Sequence, residues 1–455
     1  MSVFRAYDVR GIVGDDLTVE LVEKIGKAIG TKAVQKGIKQ VVIARDGRLS
    51  GEQLQNALAQ GIISTGRDVI NVGRVPTPVL YFTTYHLQTG TGVMVTGSHN
   101  PPEYNGLKIM LDGETLSGGS IQSLRERVEN GDFIQQAQGS ISQFAIEDIY
   151  IQRIVNDVTL KRPFKVVVDS GNGVAGEIAP KLLRALGCEV IELFCEIDGN
   201  FPNHHPDPSL PENLQDLIKA VKTHQADIGL AFDGDADRLG VVDVNGQIVF
   251  PDRQMMLYAM DVLKRNQGAK IIYDVKCSRH LSRVIREHGG EPVMWKTGHS
   301  LIKSKLKETG SPLAGEMSGH IFFKERWYGF DDAIYTAARL LEILASDPRT
   351  PTAVLSALPN AVSTPELKLE LAHYGEHFQL MEKVSQTFHF EGAEVSTIDG
   401  VRADFKDGWG LVRSSNTTPC LVIRFEADTQ EALEKIQADF RRQFMAIDSN
   451  LKLPF

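Results

Sequence analysis

The feature that most constrains this chain is a threefold internal repetition of one strand-and-helix pattern. A β-branched run ends in a polar or glycine-containing turn and leads into a helical stretch at VVIARDG from Val41, KVVVDSGNG from Lys165 and KIIYDVKCS from Lys270. Strand followed by helix is the signal of a parallel sheet. Each helical stretch runs out at a glycine and a second strand follows, in STGRDVINVG around Gly66, ALGCEVIELF around Gly187 and HGGEPVMW around Gly290. Glycine stops helices because it reaches the left-handed conformation without a Cβ clash. Another helical stretch and a third short strand close each unit, in GVMVTGSHNP, DIGLAFDGDAD and SPLAGEMSGH. Three polar motifs therefore fall at equivalent ends of three equivalent strands, where open α/β sheets bind their ligands.

The last hundred residues or so break this pattern. KLELA, VRADF and CLVIRFEA read as strands, Asp407-Gly408 as a turn, and Thr429 to Ala446 as a closing amphipathic helix, which together predict an α+β domain. A chain of 455 residues that is 42% hydrophobic can fill several cores, and the expected domains are 1–142, 143–246, 247–358 and 359–455. The net charge of -9 argues against nucleic-acid or membrane-surface binding, so an anionic ligand needs a locally positive pocket. Cys188, Cys195, Cys277 and Cys420 lack CxxC spacing and are too few for a disulfide framework, which predicts reduced thiols and a cytoplasmic protein. Neither a signal-peptide apolar region nor a membrane-length apolar stretch is expected.

Within TGSHNPPEYNGLK, Ser98 follows a short apolar strand and has His99, Asn100 and Lys108 as nearby donors, which suits phosphoryl chemistry. SHNP could equally be a turn that caps a strand end. In DGDADR, Asp233, Asp235 and Asp237 alternate behind the apolar strand ADIGLAF, so three carboxylates can converge on one cation; the alternative is a solvated acidic turn. A calcium-binding EF-hand loop fails, because its sixth position is Arg238 instead of glycine and its twelfth is Val244 instead of glutamate. A hard, oxygen-seeking ion such as Mg²⁺ fits better.

In GEMSGH, Glu316, Ser318 and His320 alternate, and if the segment is extended all three face one side and can bind sugar hydroxyls. An ordinary surface glutamate and a structural histidine form the competing reading. RSSNTTP, Arg413 to Pro419, offers a guanidinium and several hydroxyls to a phosphate, or is simply a polar hairpin loop. Gly171, Gly173 and Gly176 make a GxGxxG with Glu192 and Glu196 downstream, so a dinucleotide-binding oxidoreductase is a rival, although it leaves the other motifs idle. His204 and His205, adjacent on a proline-bounded loop, are expected to point apart.

TGSHNP, DGDADR, GEMSGH and RSSNTTP in that order, with FRAYDVRG from Phe4 and KTGHS from Lys296, resemble the α-D-phosphohexomutase superfamily over nearly the whole chain, and most closely its bacterial bifunctional phosphomannomutase/phosphoglucomutase branch. The resemblance implies three similar α/β/α domains, with mixed, Rossmann-like sheets, and a C-terminal α+β domain around a central cleft. It implies that Ser98 carries a phosphate in the resting enzyme and that Asp233, Asp235 and Asp237 share Mg²⁺ with it. Arg238 would neutralise charge on the transferring group, and Lys108 and His99 would assist transfer. Arg10 and Tyr7 would line the cleft from the first domain, Lys276 and His299 from the third. Glu316 and Ser318 match sugar-hydroxyl ligands, and His320 is a candidate proton carrier. Arg413, Ser415, Asn416 and Thr417 match the site for the phosphate that is not transferred.

The activity so implied is reversible conversion of mannose and glucose 1-phosphates to 6-phosphates through a 1,6-bisphosphate, with glucose 1,6-bisphosphate as activator. The partners so implied are small phosphosugars, and the enzyme is expected to be a monomer that supplies nucleotide-sugar precursors. A phosphoglucosamine mutase and a non-catalytic sugar-phosphate sensor are the alternatives. One departure stands out: Ala236 occupies a position where many members have glycine, which restricts the loop backbone.

Overall fold

The computed structural model describes residues 3–373, 375–415 and 418–455. Three α/β/α layers repeat one sheet order. In the first, strands Asp68–Arg74, Gln40–Arg45 and Gly92–Val95 lie side by side in parallel, and Tyr104–Leu111 returns antiparallel beside the third. The second repeats this as Glu189–Leu193, Lys165–Asp169, Ile228–Phe232 and an antiparallel Leu239–Asp243. Glu291–Trp295, Lys270–Asp274, Leu313–Gly315 and Ile321–Phe323 repeat it again. Each parallel strand is nearly continuous in apolar residues because helices cover both faces of the sheet.

The antiparallel return strand is what the repeat pattern alone does not reveal, and it matters most for function. It turns each polar motif into the tip of a hairpin at the carboxyl end of a central strand. The second of these is the tightest to read: Phe232 pairs with Leu239, so Asp233 to Arg238 form the whole connection. Helix ends follow glycine as expected at Gly66 and Gly187, both at positive φ, whereas the third left-handed stop is Gly289 rather than its neighbour Gly290.

The GEMSGH segment departs from the extended form considered above. The strand ends at Gly315, and residues 316–320 form a turn closed by Glu316 N–H donating to His320 O at 2.8 Å. The alternation of an extended strand therefore does not set where Glu316, Ser318 and His320 point. The GxGxxG glycines also resolve against a dinucleotide. A Cβ on Gly173 would lie 2.9 Å from Gly234 Cα, and one on Gly176 would collide with the Cys195 carbonyl. Protein backbone fills the room a pyrophosphate would need.

One apolar core runs through the three layers, while the C-terminal domain has its own. That domain is an antiparallel sheet in the order Val362–Ser363, Cys420–Ala427, Gly408–Ser414, Val401–Phe405 and Glu394–Ser396, with Leu367–Glu370 also paired to Cys420–Ala427. Helix Gln430–Ile447 packs Phe440 and Phe444 into it, and the Thr429 side chain caps the helix by accepting from Ala432 N–H at 3.2 Å. Contact with the third layer is a small apolar patch of Val275, Trp409 and Leu411 ringed by buried polar bonds. Arg402 donates to the Val275 and Cys277 carbonyls at 2.6 and 3.0 Å, and Arg424 to the Lys276 carbonyl at 2.6 Å. Among the described residues no helix is long and apolar enough to cross a membrane.

Candidate active site

The serine loop and the aspartate loop meet directly. Ser98 Oγ donates to Asp233 Oδ2 at 3.0 Å and lies 3.3 Å from His99 Nδ1. A Cβ on Gly234 would collide with the Ser98 carbonyl, so the metal-loop glycine is required by this approach. Lys108, on the return strand, reaches across to Asp235 Oδ2 at 2.7 Å and Asp237 Oδ2 at 2.5 Å. Thr77 Oγ1 holds the same Asp235 oxygen at 2.6 Å. Ser98, Lys108 and all three aspartates are buried.

Burial and crowding pull these groups apart in protonation. Burial, with Asp237 and Asp235 alongside, pushes the Asp233 carboxyl well above its ordinary range. Burial also opposes the charge on Asp235, but Lys108 outweighs it and holds that carboxyl below the usual value. For Lys108 burial again works against the charge, and Asp235 and Asp237 keep its pKa well above that of an ordinary lysine. The Lys108 ammonium thus offsets part of the charge of the aspartate loop.

The residues fit a divalent cation. One oxygen from each aspartate lies within 4.8 Å of the others. Asp235 Oδ1 and Asp237 Oδ1 are buried without a hydrogen-bond partner, a costly state that a cation would relieve. An all-oxygen donor set suits a hard ion. The loop that presents it is strained: Ala236 has φ +61°, in the left-handed region where glycine is favoured.

Arg238 and His320 sit beside this centre, joined by a backbone bridge between their two hairpins. Arg238 Nε donates to His320 Nε2 at 3.0 Å, and Arg238 lies 3.9 Å from Asp233 and 4.0 Å from Asp207. On its other side His320 Nδ1 is 3.0 Å from Asp331 and 3.5 Å from Asp237. Lys303 donates to Asp331 at 3.0 Å, and His299 stacks on His320 with ring centroids 5.6 Å apart. Burial, then Lys303, keeps His299 well below the usual histidine pKa; burial and Arg238 do the same to His99. Both imidazoles are therefore neutral.

The third and first layers close on each other at the KTGHS loop. Tyr7 donates its hydroxyl to Thr297 O at 3.0 Å, and Arg10 donates to Asn100 Oδ1 at 2.6 Å and pairs with Asp8 at 2.5 Å. Glu316 accepts from Gly298 N–H at 2.5 Å, and burial raises its carboxyl to about 7. Ser318 is half-buried on the turn. Lys276 pairs with Glu366 of the C-terminal domain at 2.7 Å, and Arg413 Nε donates to Asp399 at 2.9 Å. Arg413 Nη2 is buried without a hydrogen-bond partner. Ser415 Oγ lies 2.9 Å from Thr418 Oγ1, while Asn416 and Thr417 fall outside the described residues.

Four family profiles cover the chain in order. They are phosphoglucomutase/phosphomannomutase alpha/beta/alpha domains I, II and III, at residues 1–135, 148–246 and 250–362, and the C-terminal domain at 367–443. The chain belongs to the phosphoglucomutase/phosphomannomutase family. It is 57% identical over 454 residues to the phosphomannomutase/phosphoglucomutase of Pseudomonas aeruginosa, covering 100% of this chain and 98% of the relative. It is 56% identical to a phosphoglucomutase of Neisseria gonorrhoeae, over 99% of this chain and 97% of that one. A crystal structure of a phosphoglucomutase/phosphomannomutase family protein from Burkholderia thailandensis superposes with a TM-score of 0.95 at 55% identity, covering 100% of this chain and 99% of that one.

Several residues packed around this phosphohexomutase cleft carry no motif signature. Asp331 and Lys303 back His320; Asp274 accepts from Thr297 Oγ1 at 2.9 Å and from Met317 N–H at 3.0 Å; Asp399 bridges Thr297 N–H and Arg413. The Asp331-Asp332 pair could have drawn notice as a helix start, since Asp332 caps helix Ala333–Ser346. For Glu366 and Asp399 the sequence holds no signal, because Lys276 and Thr297, which they meet, lie on another domain.

His204 and His205 do part. His204 Nε2 binds the Asp169 carboxylate at 3.1 Å, whereas His205 approaches the His99 backbone.

Proposed function

We propose that this chain interconverts hexose 1-phosphates and hexose 6-phosphates, with mannose and glucose as the sugars, through a phosphorylated Ser98. The observation that carries the reading is the convergence of Ser98, Lys108 and three aspartates in one buried cluster, with Arg413 across the cleft. Phosphoryl transfer passes through a loose, charge-spread transition state, so positioned charge is what a catalyst must supply. Asp233, Asp235 and Asp237 would hold Mg²⁺, which neutralises charge on the phosphoryl oxygens.

In the forward half-reaction the O6 hydroxyl of a hexose 1-phosphate attacks phosphorus, the bond to Ser98 Oγ breaks, and a 1,6-bisphosphate forms. His320 accepts the hydroxyl proton, held between Arg238 and Asp331. Lys108 gives a proton to Ser98 Oγ as it leaves, and Arg238 offsets the charge that accumulates beside it. The bisphosphate, for glucose the 1,6-bisphosphate that serves as activator, then turns end for end. Its 1-phosphoryl group is transferred back to Ser98 Oγ, whose proton passes to Lys108, while His320 gives its proton to the departing O1 and the 6-phosphate leaves as product.

Glu316 and Ser318 bind sugar hydroxyls in either orientation, and His299, Lys276, Tyr7 and Arg10 line the cleft. Arg413 and Ser415, with Asn416 and Thr417, hold the phosphate that is not in transit. The units 1–142, 143–246, 247–358 and 359–455 are the bodies whose closure would exclude water from the phosphoserine. Four free, buried cysteines support a reducing, cytoplasmic setting for a monomeric enzyme of nucleotide-sugar supply.

Phosphorus NMR of the chain with Mg²⁺, a trace of glucose 1,6-bisphosphate and separate mannose, glucose and glucosamine 1-phosphates tests the proposal. Conversion of the mannose and glucose esters is expected. Preferential conversion of the glucosamine ester would move the substrate to amino sugars, and no conversion in any tube would overturn the enzymatic reading.

A further inference from the structure

Arg48 belongs to none of the polar motifs, yet its guanidinium is 1% exposed and lies directly beneath the serine loop. Nη2 donates to the carbonyls of Ser98 at 2.8 Å and Asn100 at 2.5 Å, and Nη1 to those of Pro101 at 2.6 Å and Tyr104 at 2.9 Å. Four carbonyls of one loop converge on one planar cation, a task that suits the rigid fork of arginine and not the point charge of lysine. Any side chain at position 97 would collide with this guanidinium, so the glycine of TGSHNP is explained by Arg48.

Asp46 braces the arrangement. Its carboxylate accepts from Arg48 N–H at 3.0 Å, Thr96 Oγ1 at 2.8 Å and Gly97 N–H at 3.2 Å, and it lies 3.3 Å from Arg48 Nε. Thr96 Oγ1 accepts in turn from Ser98 N–H at 2.8 Å. The Phe201 ring from the second layer covers the guanidinium at 5.1 Å.

Ser98 itself has φ +49°, a conformation that costs an L residue on the order of 1 kcal/mol or more. Such strain persists only where the surroundings over-determine it. A buried cation is a poor choice for stability alone, since apolar replacements of buried ion pairs are often neutral or better. Here its bonds are spent on the one loop whose geometry sets the serine hydroxyl.

We propose that Arg48 is a positioning residue for phosphoryl transfer: braced by Asp46, its guanidinium holds Ser98 in the left-handed conformation that sets Oγ against Asp233. The proposal rests on the reading of Ser98 as the phosphoryl carrier. It separates a geometric role from a merely structural one, because Arg339 is an equally buried arginine remote from the serine loop, paired with Asp261, Glu325 and Glu342.

The test compares Arg48→Lys and Arg339→Lys with the parent chain, on glucose 1-phosphate, at a temperature well below all three thermal midpoints. Both substitutions lower the midpoint. Arg48→Lys is expected to reduce kcat by about 30-fold or more with KM within about twofold, since small misplacements of reacting groups can cost about 100-fold. Arg339→Lys leaves kcat within about twofold. Equal kcat losses in the two variants, or a kcat for Arg48→Lys within about twofold of the parent, would overturn the proposal.

Should Arg48→Lys fail to fold, Asp46→Asn keeps the shape and weakens the brace. It is expected to lower kcat about tenfold at constant KM, and an unchanged kcat overturns the proposal. The parent's own turnover distinguishes the two layers of inference. A parent inactive on all three sugar phosphates removes the proposed function and this role together, whereas an active parent with a fully active Arg48→Lys removes this role alone.

Discussion

The two sides of the cleft solve the problem of charge differently. On the serine side the ionic groups are tied to one another, with one oxygen each of Asp235 and Asp237 left for a cation: Lys108 spans Asp235 and Asp237, Ser98 bonds Asp233, and the loop backbone is tied to Arg48. On the C-terminal side the cations are held more loosely: Lys276 bonds Glu366 with Asp274 3.9 Å away, Arg413 bonds Asp399, and Arg413 keeps a buried nitrogen in reserve. A network cross-linked between loops suits a reaction that tolerates little misplacement. Cations with one close carboxylate each suit recognition, because an incoming phosphate dianion can compete for them. The interface beneath them matches: a small apolar patch and a ring of polar bonds, the kind that permits domains to move.

Breaking the serine side has the largest expected effect. Ser98→Ala should lower kcat at least about 10⁴-fold with Mg²⁺ and bisphosphate supplied, because the proposed mechanism gives the phosphoryl group no other carrier; near-normal turnover by phosphorus NMR would end the assignment. Asp235→Asn removes a carboxylate that Lys108 and Thr77 both hold, and should weaken the Mg²⁺ dependence of turnover by on the order of 100-fold. Chelation of metal from the parent chain should abolish activity, with recovery on adding Mg²⁺.

Breaking the recognition side should look different in kind. Arg413→Ala removes charge-assisted bonds worth about 1.5–3 kcal/mol, so KM rises roughly 10- to 100-fold while kcat stays within about fivefold. A kcat loss as large as that of Ser98→Ala would erase the contrast drawn between the two sides.

Glu316 sharpens the comparison through pH. Its folded pKa is raised to about 7 from 4.5. The unfolded chain therefore releases this proton first, and stability falls as pH rises from about 4.5 to about 7 and then levels off. The loss is at most about 3 kcal/mol. Glu316→Gln should flatten that part of the denaturation profile, and an unchanged slope would assign it elsewhere. The smallest effect is expected at Ala236, where φ +61° favours glycine: Ala236→Gly should change stability by no more than about 1 kcal/mol and leave turnover intact. A large loss would mean that the Ala236 methyl group is needed for packing.

Much of this organisation is legible in the chain itself. Repeated apolar runs and glycine stops give three units with one succession of strands and helices, since periodicity and helix termination are local properties. DGDADR and the serine loop are likewise read directly, because spacing within a hairpin tip fixes which residues share it. The GEMSGH turn shows the limit: alternation suggests one strand face, yet the backbone bond from Glu316 to His320 folds it back. Arg48, Asp331, Glu366 and Asp399 lie beyond sequence reading, as the contacts that give them a role are made across separate loops and elements.

The sequence by itself therefore determined the three-unit α/β architecture, the distinct C-terminal domain and the location of the polar loops. Only the tertiary structure decided that Lys108 faces the aspartates, that Arg238 meets His320 and that a buried arginine anchors the serine loop. Those contacts join separate hairpins and sheets. Their geometry depends on how whole layers pack, a property no local stretch of sequence encodes.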